Sequence, residues 1–143
     1  MLAHGVFGFE YLSFKNLTHI PLSGKLGSCA LMKISTKFLS NLQYLTKVDL
    51  SLCQISVIEA GPFSNLSKLA DLDLSLNHYL ELSGVQNATI GMSRTNITTL
   101  NLEYIHARNP ITIRRYTLSE LNNTGLEILI LKNNFIVKID IKT

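Results

Sequence analysis

Apolar residues recur along this chain in short bursts, not in continuous runs. One pattern repeats: apolar-x-x-apolar-x-apolar, two further residues, a small or amide residue, and a final apolar residue after one spacer. Leu45-Thr-Lys-Val48-Asp-Leu50-Ser-Leu-Cys53-Gln-Ile55 fills every fixed position. Leu69-Ala-Asp-Leu72-Asp-Leu74-Ser-Leu-Asn77-His-Tyr79 fills them again 24 residues later. Ile97-Thr-Thr-Leu100-Asn-Leu102-Glu-Tyr-Ile105-His-Ala107 is a looser copy offset by 28, and Leu126-Glu-Ile-Leu129-Ile-Leu131-Lys-Asn-Asn134-Phe-Ile136 follows after 29. Phe9-Glu-Tyr-Leu12-Ser-Phe14-Lys-Asn-Leu17 reads as an earlier, degenerate copy.

This is the leucine-rich-repeat signature, and four good copies make a far stronger signal than any one motif. Side chains alternate across a strand, so the spaced leucines of each copy line one side of a short strand. The residue at the Cys53, Asn77 and Asn134 positions then turns inward as a structural ladder. An Asn there bonds backbone groups that a turn leaves unpaired, and Cys53 fills the slot as a small buried residue with a weak S–H donor. Ile105 has no such group, which predicts local looseness in its copy. Phe38-Leu-Ser-Asn-Leu42 and Phe63-Ser-Asn-Leu66 space apolar residues for single helical turns packing back on the strands.

The expected fold is of the α/β class: a leucine-rich-repeat solenoid, or horseshoe. It carries a curved parallel sheet on the concave face and short helical or irregular convex segments. Strand cores fall near 9–17, 45–55, 69–79, 97–107 and 126–136. Residues 26–34 (Leu26-Gly-Ser-Cys29-Ala-Leu31-Met-Lys-Ile34) fit either a further strand or an irregular excursion. The stretches Leu80 to Thr95 and Ala107 to Leu118 read as convex or rim bulges, with Pro110 marking a loop. No repeat buries its own leucines alone, and neither end carries a polar or cysteine-rich cap. Residues 1–143 are therefore expected to be one uncapped segment of a longer array, poorly soluble and weakly melting in isolation.

Composition agrees with this picture. Hydrophobic residues make up 46% and charged residues only 16%, which excludes a disordered chain; leucine fills 25 positions and isoleucine 14. The net charge of +3 is scattered, and Arg114-Arg115 is the only arginine pair, so no nucleic-acid face is evident. No run approaches the roughly 18 apolar residues of a membrane span. Met1 to Phe14 lacks the basic start and cleavage site of a signal peptide. Cys29 and Cys53 are too few for a disulfide-built scaffold. A bond between them is compatible with an oxidising compartment, but geometry speaks against it: Cys53 should point inward at its turn, while Cys29 lies in the unassigned segment.

Two kinds of candidate site remain. Five N-x-S/T sequons, at Asn16, Asn65, Asn87, Asn96 and Asn122, exceed the about two expected by chance and are candidate glycosylation sites. Asn65 and Asn87 fall outside the strands, while Asn16 sits at a strand end and is the weakest of the five. The outward strand positions form the concave face, where such arrays bind partners. They read Lys47, Asp49, Ser51, then Asp71, Asp73, Ser75, then Thr99, Asn101, Glu103, then Ile128, Ile130, Lys132. The face is mildly acidic in its middle and carries an apolar pair, Ile128 and Ile130. For catalysis there is little material. His4, His19, His78 and His106 show no paired metal-ligand spacing, and Gly24-Lys25 lacks the spacing of a phosphate loop. Cys53 occupies a buried slot. No enzyme activity, cofactor or metal is expected.

From Phe38-Leu-Ser-Asn-Leu42 through Leu80, and again from Leu118-Ser-Glu-Leu-Asn-Asn-Thr-Gly-Leu126 through Ile139, the sequence resembles Toll-like receptor ectodomains. The shared features are L-x-L-S-x-N/C-x-I, the F-x-x-L segment before each strand, and lengthened repeats carrying sequons. The resemblance implies a glycosylated ectodomain on the outer side of the cell membrane that recognises a protein or microbial ligand on its concave or lateral face. It further implies receptor dimerisation and signalling through a cytoplasmic Toll/interleukin-1 receptor domain, with the membrane reached only through parts outside this sequence. Two other readings fit the same repeats: a secreted or cell-surface adhesion protein, and an intracellular scaffold or inhibitor.

Overall fold

The computed structural model describes residues 16–26, 29–106 and 108–140. Its main feature is a five-stranded parallel sheet formed by β1 (His19–Pro21), β3 (Lys47–Asp49), β5 (Asp71–Asp73), β6 (Thr99–Asn101) and β8 (Ile128–Ile130), adjacent in that order. On the opposite side of the chain path lie two small parallel pairs, β2 (Lys33–Ile34) with β4 (Val57–Ile58) and β7 (Ile111–Arg114) with β9 (Ile136–Asp140). A parallel sheet with few helices is compatible with the expected α/β class.

The register follows the repeat. Ile20, Val48, Leu72, Leu100 and Leu129 stand opposite one another, 28, 24, 28 and 29 residues apart. Their flanking residues face away from the core. Behind the sheet, Val48, Leu50, Leu72, Leu74, Leu100 and Leu102 are buried, with Leu131 partly buried against the same cluster. Each fully buried side chain of this size contributes about 1.5–3 kcal/mol.

The return path closes that core. Phe38, Leu39 and Leu42 are buried on one turn, where the Leu42 amide donates to the Leu39 carbonyl at 3.0 Å. Phe63 and Leu66 repeat the arrangement at the same distance. Both are the single helical turns that the apolar spacing predicts.

Several expectations are corrected. The Phe9–Leu17 copy lies almost wholly outside the described residues, and the first strand of the sheet is His19–Pro21. Its core, Leu17-Thr-His-Ile20-Pro-Leu22, keeps the leucine spacing, but the sequence has Lys25 at the inward position and Gly27 at the final apolar one. Among the described residues this strand is outermost in the sheet, and no described neighbour needs the amide that Pro21 lacks. Among the described residues of 26–34, none joins the main sheet; Lys33–Ile34 form a strand that pairs with Val57–Ile58.

The Leu80–Thr95 bulge contains α1 (Leu82–Thr89), which buries Gly84, Val85, Ala88 and Thr89 against the core. After Pro110 the chain forms β7, then 3-10 turns over Arg115–Asn123. The looseness expected at Ile105 is absent from the pairing: register passes from β5 through β6 to β8, and Ile105 is buried.

Cys29 and Cys53 are joined by a disulfide, with Cα atoms 4.6 Å apart. The expectation against this bond failed because residues 29–31 run alongside Cys53. The Leu31 amide donates to the Cys53 carbonyl at 3.0 Å, which brings the two backbones together. Cys53 therefore carries no S–H.

Candidate functional site

The outward face of the five-stranded sheet gathers the candidate residues into register. One row across the strands is His19, Lys47, Asp71, Thr99 and Ile128, and the second is Pro21, Asp49, Asp73, Asn101 and Ile130. All eight predicted face residues (Lys47, Asp49, Asp71, Asp73, Asn101, Glu103, Ile128 and Ile130) are half-buried or exposed.

Local hydrogen bonding fixes the second row. Asp49 Oδ1 accepts from the Ser51 amide at 3.0 Å and from the Ser51 hydroxyl at 2.6 Å. Asp73 Oδ1 accepts from the Ser75 amide at 2.8 Å, and Asn101 Oδ1 from the Glu103 amide at 3.0 Å. The same Asx turn is thus made in three successive repeats, holding each side chain in one orientation at the strand exit. Pro21 and Ile130 have no such acceptor. Neither Ser51 nor Ser75 is available to a ligand, because both are buried.

Charge on the face is partly compensated. Lys47 Nζ lies 2.8 Å from Asp71 Oδ2, and Lys132 Nζ lies 3.4 Å from Glu103 Oε1. The hydrogen bond and charge of Asp71 raise the Lys47 ammonium above its ordinary value, with smaller contributions from Asp49 and Asp73. Asp49 and Asp73 stand directly opposite each other, and Asn101 Nδ2 donates to Asp73 Oδ2 at 3.2 Å. Like charges in facing positions destabilise a sheet, so this pair is a cost the Asx turns hold in place. Ile128 is 51% exposed and forms the apolar end of the face.

Behind the sheet, two of the three ladder residues are asparagines that bond neighbouring backbone groups, while Cys53 is tied up in the disulfide. Asn77 Oδ1 accepts from the amides of Cys53 and Ile55, each at 3.0 Å, while Nδ2 donates to the carbonyls of Leu50 and Leu74. Asn134 does the same one repeat later but one, accepting from Ile105 and His106 and donating to Leu102 and Leu131.

The sequons divide in two. Asn16, Asn65, Asn96 and Asn122 are exposed. Asn87 lies within α1, half-buried, and its Nδ2 donates to the Ile58 carbonyl at 2.8 Å, capping the open edge of β4. Its partner hydroxyl residue, Thr89, is buried.

Sequence reasoning missed two features of this region. The Asx turns were legible as the recurring Asp-Leu-Ser of Asp49–Ser51 and Asp73–Ser75. The second is a left-handed backbone at Leu52, Leu76, Tyr104 and Asn133, with φ of 54°, 61°, 57° and 59°. They occupy one position of the repeat, where the chain bends to aim the following residue inward. Three of the four are large side chains, so their identity gave no signal of it. Among the described residues, no cluster of three or more His, Cys, Asp or Glu is arranged to hold a metal.

With the geometry in view, known proteins give one point of comparison. No family model matches the chain. It is 26% identical over 130 residues to "Toll-like receptor 4" of Pinctada imbricata, an alignment covering 90% of this chain and 14% of that protein. The chain therefore spans a small fraction of its relative's length, and the likeness supports a relationship to receptors of the Toll-like kind. Among the described residues, no helix is long and apolar enough to cross a membrane.

Proposed function

We propose that the chain is a leucine-rich-repeat solenoid segment of a Toll-like innate immune receptor. It would bind a protein or microbial ligand non-covalently, without catalysis. The observation that carries this reading is a repeat-built parallel sheet in a chain 26% identical over 130 residues to a protein named as a Toll-like receptor. The contact surface is the outward sheet face, where Asx turns preset Asp49, Asp73 and Asn101 and little ordering remains to be done on binding. Ligand binding would be read out by receptor pairing, and exposed sequons would carry glycans on the extracellular side of the membrane.

The Cys29–Cys53 disulfide favours an oxidising compartment and counts against the intracellular scaffold reading. The adhesion reading is separated by sequencing the parent transcript. A membrane helix followed by a Toll/interleukin-1 receptor domain supports the receptor. A polypeptide that ends, after its repeats, with neither would replace it with the adhesion protein.

A further inference from the structure

We propose that the Cys29–Cys53 disulfide is a redox latch that holds the first repeat on the sheet, standing in for a ladder amide that Cys53 lacks. In the following repeat, Asn77 occupies the position of Cys53 and stitches two neighbours together: its Nδ2 meets the Leu50 carbonyl, and its Oδ1 takes the amides of Cys53 and Ile55. Cys53 sits in the same slot with the same aim. Its Sγ lies 3.0 Å from the carbonyl oxygen of Leu22, the residue of the first repeat that corresponds to Leu50. A sulfur cannot bridge two amides and a carbonyl, so the covalent bond to Cys29 supplies the tie.

The segment between β1 and Ile34 relies on few other ties. β1 is the outermost of the described strands and contains Pro21. Beside the β1–β3 pairing, the Thr46 and Lys47 amides donate to the Thr18 carbonyl, Leu22 to Asp49, Gly24 to Ser51 and Leu31 to Cys53. The buried Ser23 and Ser51 hydroxyls lie 2.7 Å apart, and the Ser56, Val57 and Glu59 amides reach the Met32 and Ile34 carbonyls. Around the latch, Ile20 is buried while Leu17, Leu22 and Leu31 are only partly buried; the next fully buried side chain along the described part of the repeat is Ile34.

Attack on the latch comes from one side. Cys53 is fully buried and Cys29 half-buried, so a thiolate reaches the Cys29 sulfur. An S–S bond forms to Cys29 as the Cys29–Cys53 bond breaks, and Cys53 leaves as a thiolate that takes a proton. The second thiol of a dithiol reductant then releases Cys29. One disulfide is reduced to two thiols while the dithiol is oxidised to its cyclic disulfide. The new Cys53 S–H has the Leu22 carbonyl within reach, so the buried sulfur is not stranded and the step is reversible.

Native-state hydrogen exchange of the full chain, with and without dithiothreitol, tests this. On reduction the amides of Leu22, Gly24 and Leu31 should exchange faster, on the order of a hundredfold, while those of Leu74 and Leu102 stay unchanged. A doubly substituted chain, Cys29→Ala with Cys53→Asn, should keep the oxidised exchange pattern and ignore the reductant, because the new amide completes the ladder. Unchanged exchange at Leu22, Gly24 and Leu31 on reduction overturns the latch, as does simultaneous loss of protection at Leu74 and Leu102. A substituted chain no better protected than the reduced protein overturns the equivalence of disulfide and amide.

Discussion

Asn77 Nδ2 lies 3.0 Å from the carbonyl oxygen of Leu50, 27 residues earlier in the chain. With the four other bonds of that amide, the contact ties the Val48 and Leu72 strands together from behind, where water cannot substitute. Asn77→Ala would leave two buried amides and two carbonyls unpaired, and should cost about 3–5 kcal/mol in denaturant unfolding. Asn134→Ala, made at a half-buried site, should cost about 1–2 kcal/mol. Equal losses at the two positions would show that burial does not set the value of the ladder.

Gly24 lies tightly against the second repeat, its amide donating to the Ser51 carbonyl at 2.9 Å. A Cβ at this position would collide with the Leu52 carbonyl oxygen, a backbone atom that cannot swing aside. Gly24→Ala should lower stability by about 1–3 kcal/mol and weaken protection of the Leu22 amide. Wild-type stability in this variant would mean that the two repeats are further apart than described.

Alkaline pH should loosen the sheet face. The folded-state Lys47 ammonium titrates above its ordinary value, so its stabilising contribution is complete below about pH 10 and disappears as pH rises through the folded value. Both partners are substantially solvated, which limits the contribution to roughly 0.2–1 kcal/mol. Unfolding followed from pH 9 to pH 12 should show a small fall that is absent from Lys47→Met. A fall of the same size in both proteins assigns it elsewhere.

Glycan occupancy should follow exposure. Glycopeptide mapping of the secreted protein is expected to find Asn65, Asn96 and Asn122 modified and Asn87 the least occupied, since the Asn87 amide caps Ile58 within α1. Asn87→Ala should then destabilise the protein by about 1–2 kcal/mol, the cost of an unpaired half-buried carbonyl. Full occupancy of Asn87 would contradict that structural role.

The principal strands from Lys47 onward were legible because each copy repeats both its leucine spacing and its inward residue, and Val48, Leu72, Leu100 and Leu129 consequently meet in register. His19–Pro21 was not, because Lys25 and Gly27 stand where the full signature has its inward and final apolar residues, and Pro21 interrupts the strand pattern. The outer strands hid for another reason. Lys33–Ile34 and Val57–Ile58 are too short for alternation to show, and only their pairing defines them. On the candidate face, composition predicted the outward residues, but not that Asp49 and Asp73 are each held by a serine two residues later. The disulfide was missed because it depends on where an insertion returns, and spacing does not encode that.

The helix α1 has a geometric consequence for the array. Between β2 and β4 the outer side advances by one strand spacing, about 4.8 Å, as the inner sheet does. Beside β4, α1 occupies a width of about 10 Å, while β5 and β6 on the inner side remain neighbours in one sheet. That mismatch must be absorbed as a wedge. A bend at the joint between β5 and β6 is the expected result, and it would turn the Thr99 and Ile128 strands towards the acidic strands beside them.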